Sequence, residues 1–286
     1  MLAPAPPRHG SRPDAVRAIP TPDAAPHSAA RAPYYRPVGG EIQVFRHAYE
    51  SRLPLLLKGP TGCGKSRFVE AMAAAVGRPL VTVACNDETT ATDLLGRWLV
   101  RGGDTVWQDG PVTRAVRTGA VLYLDEIAEA REDVIVVLHP LSDHRRQLYV
   151  DRIDETLDAP PEFMLIVSYN PGYRRALKEM KPSTRQRFVS LLFGYPAPEV
   201  EAEIVCAESD VDAASARRLV ALAAKIRGLE ELGLAETVST RLLVGAGVLI
   251  RRGLPPRLAC NVAVVQPLTD DPVTAVALQD LADLIF

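Results

Sequence analysis

The residues Gly59, Pro60, Thr61, Gly62, Cys63, Gly64, Lys65 and Ser66 read GPTGCGKS, the spacing G-x-x-x-x-G-K-[ST]. That spacing holds phosphate. Glycines let successive backbone N–H groups converge on phosphate oxygens without Cβ clashes, and a following helix adds the positive end of its dipole. Lys65 is placed to reach the β- and γ-phosphates and Ser66 to give its hydroxyl to Mg²⁺. The loop follows an apolar run, Leu53 to Lys58, and opens a stretch of helical spacing, Arg67 to Val76, which is the setting the motif needs. Cys63 has two readings: a small residue that fits the turn, which is favoured, or a thiol activated by the helix N-terminus.

A second constellation lies downstream. Val121 to Glu126 reads VLYLDE, a buried strand tipped by two carboxylates. Asp125 is placed to hold the magnesium shell through water, and Glu126 to orient or deprotonate the water that attacks a γ-phosphate. Asn170 follows the apolar run Phe163 to Val167 and precedes Pro171, so it is either a turn-forming Asn-Pro or an amide that holds that water. Beside a phosphate loop the second reading is preferred. Together these residues point to hydrolysis of a nucleoside triphosphate, with ATP and Mg²⁺ as cofactors.

The elements that must position these groups are visible as short apolar runs. Leu53 to Lys58, Leu80 to Ala84, Ala120 to Leu124, Phe163 to Val167 and Phe188 to Phe193 are continuous enough to be buried on both faces. They alternate with helical stretches, which predicts an α/β domain over about 34–196 with a five-stranded parallel sheet. From Pro198 to Glu208, Ala213 to Leu232, Thr240 to Arg252 and Arg257 to Val265 the period is helical throughout, predicting a smaller all-helical lid domain over 197–286. Residues 1–33 contain eight of the 24 prolines and too little apolar surface to offset their ordering entropy. They are expected to be a disordered arm, with an interaction arm or targeting peptide as the alternative. Arg97 to Trp107 reads as a hairpin turning at Gly102-Gly103, which pairs Trp98 with Trp107. Gln147 to Ala159 reads as a second inserted hairpin.

Composition narrows the field. With 33 basic and 35 acidic residues the formal charge is −2, which leaves no bulk field for nucleic acid. The most basic run, Arg174 to Lys181, is expected to be a solvated helix face. Cys63, Cys85, Cys206 and Cys260 are scattered, without C-x-x-C pairs, as in a reduced cytoplasmic protein. His139 and His144 lack the spacing of two ligands on one helix turn. No apolar run nears the ~20 residues that span a bilayer, so direct membrane insertion is not expected.

At these residues the chain resembles the AAA+ superfamily, and within it the MoxR-type ATPases of the CbbQ/NorQ (NirQ) group. The likeness is carried by KGPTGCGKSRFVE, VTVACNDETTATDLLGR, WQDGP, YLDEIAEAR, HPLSDHRR, SYNPGY, PSTRQRF, STRLLV and PLTDDP, and it runs from about Tyr34 to the C-terminus. It implies an AAA+ P-loop NTPase fold and a ring, usually a hexamer, with ATP between subunits. It makes Asn170 the sensor-1 residue, Arg241 the sensor-2 residue on a helix capped by Ser239 or Thr240, and Arg187, with Arg185 as the alternative, the finger that completes a neighbour's site. The first hairpin resembles an insert that reaches a pore or client, although packing on its own domain would explain it equally well. Tyr34 and Tyr35 either stack on an adenine or pack in the core, and Glu129 and Arg131 lie where signals pass between subunits.

The resemblance further implies remodelling or activation of a client enzyme together with a von Willebrand-type adaptor. The client would be nitric oxide reductase or rubisco, and RGGDTVWQDGP and KPSTRQRF lean toward the NorQ side. A small-molecule kinase would share the phosphate loop but has no use for the asparagine, the trans arginine or the helical domain. A nucleotide-switch scaffold would not need Glu126. No N-K-x-D motif favours a GTPase.

Overall fold

The computed structural model describes residues 33–171, 180–229, 234 and 236–286. The proposed arm and most of the basic run lie outside them. From the N-terminus the elements are α1 (Glu41–Glu50), β1 (Leu55–Lys58), α2 (Lys65–Ala75), β2 (Leu80–Ala84), α3 (Ala91–Leu95), β3 (Gly96–Arg101), β4 (Asp104–Asp109) and α4 (Pro111–Thr118). Then come β5 (Val121–Asp125), α5 (Glu132–Leu138), β6 (Gln147–Val150), β7 (Glu155–Asp158), β8 (Met164–Tyr169), α6 (Pro182–Arg185) and β9 (Val189–Leu192). The C-terminal part is helical: α7 (Pro198–Ser209), α8 (Ala213–Arg227), α9 (Thr240–Arg251), α10 (Pro256–Cys260), α11 (Gln266–Leu268) and α12 (Pro272–Ile285).

Five strands form one sheet in the order β2-β5-β8-β1-β9, and every neighbouring pair is parallel. These are the five apolar runs of the sequence, and the fold is the expected P-loop α/β architecture. The three inner strands explain the unbroken runs, because a strand covered on both faces needs apolar residues at every position. Period two then divides each strand between two cores. Leu56, Leu122, Leu124, Leu165 and Val167 face one layer with Val112 and Val134. Leu55, Leu57, Val121, Met164 and Ile166 face the other with Phe45 and Phe68. At the edges, β2 and β9 alternate between half-buried and exposed positions.

The helices beyond β9 enclose a third core around Leu219, Leu222, Leu243, Val264 and Leu278. Their starts are fixed by side-chain caps: Asp212 accepts from Ala214 and Ser215 N–H groups, Ser239 from Leu242, and Asp271 from Thr274. The stretch read as one helix over Arg257 to Val265 is α10 running into a wider π turn at Asn261–Val265. The last helix, α12, is not among the helices expected from the sequence. Its apolar residues face both the third core and solvent, with Val273 and Leu284 exposed, which blurs the helical period. Helix α8, expected to run to Leu232, ends at Arg227, where Gly228 follows as its C-cap and glycine disfavours continuing the helix.

Both hairpins form. In the first, β3 and β4 pair Trp98 with Trp107 and Arg101 with Asp104, as the two-residue turn requires. Gly102 and Gly103 both have positive φ, 61° and 93°. The indoles meet edge to face at 5.5 Å. Trp107 is buried against the domain, while its partner Trp98 and, nearer the tip, Val100 are exposed, so β4 packs inward at its base and most of β3 stays exposed. The second hairpin pairs β6 with β7. Arg117 on α4 ties the two together through Asp109 and Glu155. No helix among the described residues is long and apolar enough to cross a membrane.

Phe68 is fully buried in α2 and its ring meets Tyr35 at 5.5 Å, Phe45 at 6.0 Å and Phe193 at 5.3 Å. It joins the phosphate-loop helix to the strap before α1 and to the end of β9. Phe68→Ala is expected to lower stability by about 3–5 kcal/mol, read by chemical denaturation.

Candidate active site

The parallel sheet puts the carboxyl ends of β1, β5 and β8 side by side, at the place where the chain order reverses and open α/β sheets bind ligands. Gly59–Gly64 leaves β1 there, Asp125 ends β5, and Asn170 follows β8. A cavity of about 450 Å³ opens at this edge, lined by the loop, Asp125, Glu126, Asn170 and, from α9, Arg241. Residues on four separate stretches of sequence thus share one site.

Lys65 joins them. Its ammonium is buried and uses all three N–H bonds: 2.8 Å to the Gly59 carbonyl, 2.8 Å to the Pro60 carbonyl and 2.7 Å to Asn170 Oδ1. Burial lowers its pKa against the pull of Cys63, Asp125 and Glu126. Because a lysine only donates, the Asn170 atom facing it is the carbonyl oxygen, which turns the amide nitrogen the other way. That nitrogen donates to Thr61 Oγ1 at 3.1 Å and to Glu126 Oε1 at 3.3 Å. Asn170 therefore sits between the loop lysine and the carboxylate, where an amide can hold a water against a phosphate.

Asp125 and Glu126 occupy different surroundings. Ser66 Oγ faces Asp125 Oδ2 at 3.4 Å. A hydroxyl and a carboxylate oxygen at the foot of a phosphate loop are the hard donors that magnesium takes when it keeps most of its water. The other Asp125 oxygen accepts from the Tyr123 hydroxyl at 2.7 Å and from the Ser168 hydroxyl. Ser168 in turn accepts the Glu126 backbone N–H at 3.2 Å. Glu126 lies just past the strand in a left-handed conformation, φ 55°, which turns its side chain out of the sheet. Its pKa is raised, first by burial and then by the Asp125 and Glu129 carboxylates, with Lys65 opposing. This is the direction that suits a proton acceptor.

Tyr123 and Ser168 were missed in reading the sequence. Each stands two residues before a site residue, Asp125 and Asn170, on the same face of its strand. That period-two spacing was the available signal.

The remaining candidates divide. Cys63 is buried and its thiol is pushed up by burial, opposite to the direction that an activated thiol requires. Both tyrosines line the cavity; Tyr35 also donates to Glu41 at 2.8 Å and packs on Phe68, whereas Tyr34 is exposed. Gly62 is where the loop meets the helical region: a Cβ there would lie 2.5 Å from Ser239 Cβ. Of the two possible caps for α9, Ser239 makes the bond, and Thr240 turns to Glu201 at 2.6 Å. Arg187 donates to the Ser183 carbonyl, and neither it nor Arg185 lines this cavity. Arg131 is paired with Asp133 on the surface. His139 bonds Thr184 at 3.3 Å.

Comparison with known proteins gives the family. Residues 54–188 match the model of the AAA domain (dynein-related subfamily), and residues 201–285 match that of the CbbQ/NirQ/NorQ C-terminal region. The protein CbbQ of Hydrogenophilus thermoluteolus is 56% identical over 89% of this chain and 95% of its own length. The chain belongs to the CbbQ/NirQ/NorQ family of AAA ATPases. NorQ of Paracoccus denitrificans is equally similar, 56% identical over 91% of this chain and 96% of its own. Among solved structures, a RuvB mutant of Thermotoga maritima shares the fold, with a TM-score of 0.53 at 17% identity over 85% of this chain and 69% of that one. As an AAA family member the chain carries a nucleotide-binding fold. The equal identities to CbbQ and NorQ do not carry the lean toward the NorQ side.

The raised pKa of Glu126 has a consequence for stability. A carboxyl that binds its proton more tightly when folded loses stability as pH rises from its unfolded pKa, about 4.3, through the raised folded value. Glu126→Gln carries no such charge. It is expected to melt at a higher temperature than the parent at pH 7, with the difference vanishing below about pH 4. Equal melting temperatures at pH 7 would contradict the assigned shift.

Proposed function

We propose that this chain is an ATP-hydrolysing ring motor that acts on a client protein. The observation that carries the reading is the convergence of Lys65, Asn170 and Glu126, bonded in series across the carboxyl edge of the sheet. In this reading the loop from Gly59 to Ser66 cradles the phosphates and Lys65 moves from loop carbonyls to phosphate oxygens. Ser66 and, through water, Asp125 hold Mg²⁺, which supplies charge neutralisation on the transferred phosphoryl group. Asn170 and Glu126 hold the attacking water, and Glu126 takes its proton. Arg241 reaches the nucleotide from the helical lid formed by residues 197–286.

Arg187 belongs to the neighbour's site. It comes from the α6–β9 turn, donates to the Ser183 carbonyl of α6, and does not line its own cavity. An arginine in that position supports shared sites and hence a ring, with a hexamer as the family expectation. The client is an enzyme activated together with a von Willebrand-type adaptor. Rubisco and nitric oxide reductase stand equally, because the chain is 56% identical both to CbbQ and to NorQ. Nothing about the site favours a kinase: a lid arginine, Arg241, stands at the cavity.

The test is phosphate release across protein concentrations. Turnover per subunit is expected to rise with concentration, and Arg187→Ala to lower it by about 10³ or more. Lys65→Ala should lose nucleotide binding. Glu126→Gln should keep binding and lose turnover by about 10²–10⁴. The Glu126→Gln chain, held with ATP and used as bait in its own cell extract, should bring down an adaptor with one of the two clients. A monomer whose turnover ignores both concentration and Arg187 would refute the ring.

A further inference from the structure

The segment between β9 and α7 carries Tyr195, which no part of the site described so far uses. Its hydroxyl donates to the Thr61 carbonyl in the phosphate loop at 3.1 Å. Its ring lies under the Arg227 guanidinium, 3.9 Å from ring centroid to carbon, close enough for a strong cation–π contact. Arg227, at the end of α8, is itself fixed. Two nitrogens bond the two carboxylate oxygens of Glu201, both at 2.7 Å, and its Nε donates to the Val238 carbonyl at 2.8 Å. Glu201 is 1% exposed and also accepts the Thr240 hydroxyl at 2.6 Å. Thr240 stands between the α9 cap, Ser239, which touches Gly62, and Arg241.

A bidentate pair in which the guanidinium donates three hydrogen bonds and the carboxylate accepts three is a rigid support, since moving either partner would strand a buried charge. The helical region thus offers Tyr195 a fixed platform. The linker ring rests on it, and the hydroxyl reaches the loop.

The consequence for the loop follows from peptide geometry. In a trans peptide the C=O and the next N–H point in opposite directions. Pinning the Thr61 carbonyl toward Tyr195 turns the Gly62 N–H away from the linker, and Gly62 itself lines the cavity. Gly62 has φ 68° and no side chain to resist other orientations, so this peptide would otherwise rotate with little cost.

We propose that Tyr195 is a positioning residue of the nucleotide site: its hydroxyl holds the Thr61–Gly62 peptide with its N–H toward phosphate, and the Arg227–Glu201 pair holds its ring, so that loop geometry and lid position are set together. The inference rests on the nucleotide reading of the site.

Tyr195→Phe removes the hydroxyl and leaves the ring on Arg227. Titration with a fluorescent adenosine nucleotide should show affinity weakened about three- to tenfold, the usual worth of one hydrogen bond. In phosphate release KM should rise more than kcat falls, because an oriented N–H binds ground state and transition state alike. Hydrogen exchange over residues 59–66 should quicken, a readout that needs no turnover. Unchanged nucleotide affinity and exchange in Tyr195→Phe would overturn the proposal, and so would a lowered melting temperature with affinity unchanged, which marks a structural role only. Failure of the parent chain to bind nucleotide would overturn the reading of the site and this inference together.

Discussion

A buried ammonium sets the terms for the rest of this molecule. Lys65 has three N–H bonds to satisfy out of bulk water, and it finds acceptors in Gly59, Pro60 and Asn170. Two come from its own loop, which must therefore curl back over the lysine. The third comes from a residue 105 positions away in sequence, and only the parallel pairing of β1 with β8 brings it within reach. The charge thus ties local loop conformation to sheet register. A one-residue slip between those strands would turn alternate side chains to the wrong face and leave the lysine one acceptor short.

The same sheet edge separates two carboxylates by environment. Asp125 accepts from Tyr123 and Ser168 and faces the Ser66 hydroxyl. Glu126, one residue on and past the end of the strand, bears the repulsion of Asp125 and Glu129. Neighbours in sequence thereby stand in different surroundings, which is what the proposed division into a metal-side acid and a proton acceptor requires. Ser168 couples them, since one hydroxyl bonds the side chain of the first and the backbone of the second.

Contacts between the sheet domain and the helices run at two levels. On the surface, Arg36–Glu203 and Arg67–Glu208 are partly exposed pairs of small individual worth. Underneath, Gly62 against Ser239 and Tyr195 against Thr61 and Arg227 are tighter and join directly to the phosphate loop. The loop is thus gripped from its own strand, from β8 and from the helical region, and a ligand that fills it acts on all three.

The sequence by itself determined the phosphate loop, the carboxylate pair, the five strands and the register of the first hairpin. Each rests on chemistry or sterics within a short window: glycines around a lysine, apolar runs that end in acids, and a Gly-Gly turn that fixes what pairs with what. Tertiary structure decided whatever depends on partners distant in sequence. It placed Asn170 on Lys65, put Tyr123 and Ser168 behind Asp125, and set Tyr35 against both Phe68 and the cavity. It also set Tyr195 between Thr61 and Arg227. A tyrosine beside a proline, or a serine inside an apolar strand, carries no local mark of its role. The role exists only once parallel strands and a packed helix bring the second group to within hydrogen-bonding distance.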